Sequence, residues 1–307
     1  MKISVRMEGG LGDHLLANRF VPAILDKYPG AEIHLFSDTG GKSLQSDTLL
    51  SLYDFYSSRT LLKRQSDEYR ISSQFGSENF AAHINNTDPE QKAQMLNYDK
   101  FYNLHLDWME WIYYDFHWQN YFYHFPKPSL KILPYNANNS YVVLHLASDN
   151  MGNNHRMSKS YINKIISNIP PLFDIKILST PSTEDFIRDN IEEQGHVEIV
   201  SDSLPTIISM IKSSSGLLAI DSGIKYFGYM FNIPTLSWAK ECKDPHICPL
   251  AFQTRWLTFP QLYYPLEYDA EKMVEALMNL IKSNNFFLNP NLEGKNLDRH
   301  VIRRVEK

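Results

Sequence analysis

Lys2-Ile3-Ser4-Val5-Arg6-Met7-Glu8-Gly9-Gly10-Leu11-Gly12-Asp13-His14-Leu15 is the stretch on which the reading of this chain turns. Lys2–Met7 reads as a buried strand that runs straight into a glycine turn. Small residues in such a turn let a backbone approach a ligand, and a helix opening there points N–H groups at an anion. Gly10 and Gly12 keep the first spacing of a dinucleotide fingerprint, while Leu15 stands where its third glycine belongs. Asp38, at the end of the next strand, could serve as the ribose acid of that fingerprint, so a nicotinamide-dependent oxidoreductase is one reading. Asp13 suits two roles, a proton acceptor or an N-cap for its own helix.

Moving outward, Leu16, Phe20 and Ile24 give 13–27 a helical spacing that Pro29-Gly30 ends. Glu32–Phe36 alternates as a second strand, 38–94 is less legible, and Asp99–Leu106 reads as another strand. Three prolines and Asn138-Asn139 mark 126–140 as a linker. Beyond it the alternation is cleaner. Strands are expected at Tyr141–Leu146, Asp174–Leu178, Val197–Val200, Gly216–Ile220 and Pro234–Trp238. Helices are expected at Ser158–Asn168, Ser182–Glu193, Leu204–Ser213, Ser222–Asn232 and Ala270–Lys282. Strand–helix–strand repetition implies parallel sheets covered on both faces, with ligands beyond the C-terminal ends of the strands.

A chain of 307 residues has room for two such domains. The expected division is 1–133, 134–285 and a tail, 286–307, packing back across the domains. A net charge of −5 excludes a generally basic, DNA-coating protein. No run approaches the roughly 18 apolar residues of a membrane span. Neither an N-terminal secretory pattern nor a disulfide framework is expected, since Cys242 and Cys248 are the only cysteines. A cytoplasmic location follows as the expectation.

Several turns invite chemistry. Gly41-Lys42-Ser43 looks like the tail of a P-loop, but Phe36 occupies the position of its leading glycine. Asp221-Ser222-Gly223-Ile224-Lys225 is better placed, because it follows a buried strand and opens a helix. Ser222, Gly223 and Ile224 can present amides to a phosphate, with Lys225 adding positive charge. The polar loop 147–159 supplies His155, Arg156 and Lys159, cations suited to a diphosphate. Between Tyr98 and Phe125 stand 13 aromatic residues in 28 positions, more than three times the chain average. They interleave with His105 and Asp107 and include Trp108 and Trp111, a wall for stacking on sugars or bases. Cys242, His246 and Cys248 do not match a structural zinc site, and the chain holds no Asp-x-Asp for a metal-bound diphosphate.

With those motifs in place, the pair Gly10-Leu11-Gly12-Asp13 and Asp221-Ser222-Gly223-Ile224 resembles the ADP-heptose–lipopolysaccharide heptosyltransferase family. Tyr98-Asp99 before the strand to His105, the strand ending at His145, and Asn232-Ile233-Pro234 support the likeness. The resemblance implies an α/β fold of glycosyltransferase-B type, two Rossmann-like domains facing a cleft. It also implies a donor bound mainly by the second domain and an acceptor mainly by the first, where Gly10 and Gly12 are the candidates beside the aromatic segment, which has no counterpart in the family. It casts Asp13 as the base, Lys159 as a diphosphate contact, Glu184 as the ribose acid, and Ser222, Gly223 and Ile224 as the phosphate loop. Ser222 stands where the family usually has Thr, and Lys225-Tyr226 where it has Ser-His.

The expectation is an inverting, metal-independent glycosyltransferase that needs no cofactor beyond its nucleotide-diphospho-sugar donor. A carboxylate can take the acceptor's proton, and amides with a lysine can stabilise the departing diphosphate. The acceptor is a glycan or another hydroxylated compound, a hydroxymethylated DNA base included; Lys295–Lys307 and Arg59–Arg70 are the basic stretches that keep DNA in view. The rival readings are the oxidoreductase and a non-catalytic nucleotide-sugar-binding protein.

Overall fold

The computed structural model describes residues 1–18, 20–38, 44–62, 87–104, 140–147, 157–192, 195–239, 246–249 and 260–283, with 129, 132 and 135–137. The described residues fall into two compact units, one within Met1–Leu130 and one within Lys131–Pro249 and Phe259–Leu297.

In the first unit, β1 (Lys2–Glu8), β2 (Glu32–Asp38), β3 (Tyr56–Leu61) and β4 (Lys100–Asn103) form an all-parallel sheet in the order β3-β2-β1-β4. β1 is its centre. Ile3, Val5 and Met7 are sealed on one face, and Ser4 and Arg6 on the other. Ser4 donates to the carbonyl of Met95 at 2.7 Å, which ties helix α4 (Pro89–Leu96) to that second face. The single helix expected over 13–27 is two, α1 (Leu11–Asn18) and α2 (Val21–Lys27). Pro22 is the cause. It has no N–H, and its ring would clash with the carbonyl four residues back, so it starts the second helix instead of continuing the first. Gly30, at φ +77°, makes the turn into β2. A further helix, α3 (Leu44–Ser51), precedes β3 in the stretch that was least legible.

The second unit carries β5 (Tyr141–His145), α5 (Lys159–Asn168), β6 (Asp174–Leu178), α6 (Glu184–Asn190), β7 (Val197–Val200) and α7 (Leu204–Ser213). β8 (Gly216–Ile220), α8 (Lys225–Met230), β9 (Thr235–Ala239), β10 (His246–Pro249), β11 (Pro260–Pro265) and α9 (Ala270–Ser283) complete it. Its strand order is β10-β11-β9-β8-β5-β6-β7, parallel except that β10 runs antiparallel to β11. Without β10 this is the doubly wound Rossmann order, built outward from β5 in both directions. All residues of β5 and β8 are buried. Tyr161, Ile162, Ile165 and Ile166 of α5 pack in one core with Met273, Val274 and Leu277 of α9 and with Trp238 of β9. Each such side chain contributes roughly 1.5–3 kcal/mol on burial. The indole N–H of Trp238 donates to Tyr161 Oη at 3.0 Å, so the largest core side chain leaves no polar atom stranded. Gly216 lets α9 cross the start of β8, where an added Cβ would lie 3.0 Å from Ile281 Cδ1.

Three expectations need adjusting. The helices expected at Ser182–Glu193 and Ser222–Asn232 are shorter, beginning at Glu184 and Lys225, because residues 181–183 and 221–224 are turns. β10 and β11 went unforeseen, since Pro249, Pro260 and Pro265 argue against strands that turn out to lie at the sheet margin. No described helix is long and apolar enough to cross a membrane.

Candidate functional site

In an open α/β sheet, ligands bind beyond the C-terminal ends of the strands where the strand order reverses. The first sheet reverses between β1 and β4, the second between β5 and β8. The two turns singled out from sequence leave β1 and β8. Both sit at a reversal point of their own sheet.

The turn after β1 is built around one carboxylate. Gly10 precedes α1, and Asp13 is the third helical residue, not the N-cap that its sequence also allowed. Its Oδ2 reaches back to accept the Gly10 amide at 2.7 Å, half of a capping box. Gly9 is the glycine this arrangement demands. Its φ is +108°, and an added Cβ would lie 2.4 Å from Asp13 Oδ2. Gly12, chosen from sequence by fingerprint spacing, is simply the second residue of α1. Sequence reasoning passed over His14, which is wholly buried. Its Nδ1 lies 2.9 Å from the Gly10 carbonyl oxygen and its Nε2 2.8 Å from Ser37 Oγ. Ser37 reaches that position because β1 and β2 register Met7 against it.

The turn after β8 has a different construction. Ser222 Oγ shares a 3.0 Å hydrogen bond with His145 Nδ1 at the end of β5, a link across the reversal point. Among the described residues, none accepts a hydrogen bond from the amides of Ser222, Gly223 or Ile224. Lys225 was read as a cation available to a phosphate, and the structure corrects that. Its side chain is wholly buried, and its ammonium is paired with the Asp221 carboxylate, which keeps 20% of its surface exposed. The ammonium also lies 5.0 Å from the centre of the Tyr226 ring. One turn further on, burial pushes the Tyr229 phenol well above its ordinary range. Lys225 therefore braces the turn from inside.

Of the remaining candidates, Lys159 is exposed at the first position of α5, whose N-cap Ser158 accepts the Tyr161 amide. Glu184 opens α6 and receives two hydrogen bonds from Arg188, at 2.6 and 2.9 Å, so any ligand would share it with that guanidinium. Both helices start at the C-terminal edge of their sheet, as parallel βα units require. His105, Asp107, Trp108 and Trp111 lie outside the described residues, as do most of the aromatic segment, His155, Arg156, Gly41-Lys42-Ser43, Cys242 and the C-terminal tail. Among the described residues, no group of three or more His, Cys, Asp or Glu could hold a metal ion.

No protein-family model matches the sequence, and no curated protein matches it. Solved structures do. A glycosyl transferase family 9 protein from Veillonella parvula matches 92% of this chain over 97% of its own, at TM-score 0.63 and 11% identity. The ADP-heptose lps heptosyltransferase II of E. coli matches 92% over 99% of its own, at TM-score 0.59 and 11% identity. The E. coli heptosyltransferase WaaC, solved with ADP-2-deoxy-2-fluoro heptose, matches 92% over its whole length, at 0.58 and 12%. These likenesses establish the fold. The chain has the α/β architecture of glycosyltransferase-B proteins, two parallel sheets with their helices, as the resemblance of its two turns implied.

Proposed function

We propose that this protein is an inverting glycosyltransferase that moves a sugar from a nucleotide-diphospho-sugar to an acceptor hydroxyl without a metal ion. The observation that carries the reading is the turn after β8, where the amides of Ser222, Gly223 and Ile224 have no acceptor among the described residues at the point where the sheet reverses. Such donors suit an anion, and the fold is one in which an E. coli heptosyltransferase has been solved with ADP.

In this reading the second unit handles the donor and the first the acceptor. Asp13 Oδ2 holds Gly10, and Oδ1 takes the proton of the acceptor hydroxyl. The hydroxyl oxygen attacks the anomeric carbon from the side opposite the diphosphate. The new carbon–oxygen bond forms as the bond to phosphate breaks, and the nucleoside diphosphate leaves with its electron pair. The amides of residues 222–224, with Lys159 at the start of α5, stabilise the charge that develops. One displacement inverts the anomeric centre. Glu184 is assigned to the donor ribose, and Gly10 and Gly12 to the acceptor side with His105, Asp107, Trp108 and Trp111. The acceptor itself is assigned as a glycan hydroxyl, with hydroxymethylated DNA assayed alongside it.

Calorimetry with UDP, ADP and GDP tests the donor site. At least one should bind, and Gly223→Trp, which puts a bulky side chain on the turn proposed to hold the diphosphate, should weaken it about tenfold or more. Undiminished affinity in that variant would move the donor site elsewhere. Binding of NADH in preference to every nucleotide diphosphate would favour the oxidoreductase. Turnover should survive EDTA; a chelator-sensitive activity restored by a divalent ion would overturn the metal-independent mechanism.

A further inference from the structure

We infer that His14 is a positioning residue for the Asp13 turn and acts as the Nδ1–H tautomer, holding the Gly10 carbonyl while Asp13 holds the Gly10 amide. The inference concerns the local geometry, and its catalytic consequence rests on the function proposed above. Gly10 is held at both of its polar atoms. Its amide donates to Asp13 Oδ2 at 2.7 Å, and its carbonyl oxygen accepts from the His14 amide at 3.2 Å and faces His14 Nδ1 at 2.9 Å.

A carbonyl oxygen can only accept, so Nδ1 must carry a proton. Were the proton on Nε2 alone, two lone pairs would face each other at 2.9 Å inside the protein. In the neutral ring a proton on Nδ1 leaves Nε2 with a lone pair for Ser37, whose hydroxyl then donates at 2.8 Å. Ser37 lies at the end of β2, so the chain of bonds runs from the sheet through the imidazole to Gly10, and from Gly10 to the carboxylate. His14 is wholly buried, which places it to act on the turn and not on a ligand directly. It acts by fixing the Gly10–Leu11 peptide, next to the Gly9–Gly10 peptide whose N–H Asp13 Oδ2 accepts, and so by fixing where Asp13 Oδ1 points.

Nitrogen NMR of the full chain, with labelled histidine assigned through His14→Asn, reads the tautomer directly. The expected spectrum shows His14 with a protonated Nδ1 and an unprotonated Nε2 at neutral pH. A ring protonated at Nε2 would overturn the inference whatever the protein catalyses. The consequence for turnover is read from two variants. His14→Leu keeps the bulk and loses both bonds, and should lower kcat about tenfold or more while nucleotide-diphosphate affinity stays level. His14→Asn places an amide N–H near the Nδ1 position and should recover most of that loss. A purely structural histidine would shift the melting temperature of both variants and leave kcat of the folded protein unchanged, which would refute the positioning role. Absence of sugar transfer in the wild-type chain would count against the proposed function, and the tautomer measurement would still decide the inference.

Discussion

Asp13→Asn is expected to lower kcat by about 10²- to 10⁴-fold while nucleotide-diphosphate affinity stays close to that of the native chain. The substitution is chosen for what it preserves. The Asn carbonyl oxygen can still accept the Gly10 amide that Asp13 Oδ2 accepts at 2.7 Å, and it adds no atom toward Gly9. What it removes is the basic oxygen, together with a negative charge in the first turn of α1. That charge stabilises a helix start by about 0.3–1 kcal/mol, so the melting temperature should fall only slightly. A variant that keeps its stability and a near-native kcat would reduce Asp13 to a helix-start residue. The base would then have to be sought at Glu8, His105 or Asp107.

The second large effect is expected on stability. Asp221→Asn leaves the Lys225 ammonium with its carboxylate partner gone, in a position with no solvent exposure. Removing one member of a buried pair costs about 3–5 kcal/mol. Lys225→Met should cost less, because Asp221 keeps 20% of its surface and water can reach the carboxylate. The double variant Asp221→Asn/Lys225→Met should recover part of the loss, since no charge is then left buried. Thermal denaturation of the four proteins checks the order. If Lys225→Met were the worst of the three variants, the ammonium would be contributing something other than its pairing with Asp221.

How far the sequence reaches is visible at these same residues. Strands β5, β6 and β8 are short apolar runs between turn residues, and they stand where the pattern puts them. Both glycine-bearing turns were recognisable because each follows such a strand. Pro22 was a signal in plain view, and the apolar spacing of Leu16, Phe20 and Ile24 masked it. Asp221 and Lys225 stand four apart, a spacing that marks an ion pair on a helix, but nothing local says that the lysine points inward. His14 with Ser37 and Ser222 with His145 were out of reach for another reason. Each pair spans tens of residues and meets only through strand register, Met7 against Ser37 in one sheet and His145 against Ala219 in the other. Register is a property of the assembled sheet.

The turn at 222–224, in the role proposed for it, asks for a path of the backbone and not for particular side chains. Its donors are main-chain amides, and every amino acid except proline supplies the same N–H. A surface that recognises its ligand through the peptide unit constrains the path of the chain and leaves the alphabet almost open. Such a site is written in dihedral angles. Two proteins can share it with hardly a side chain in common.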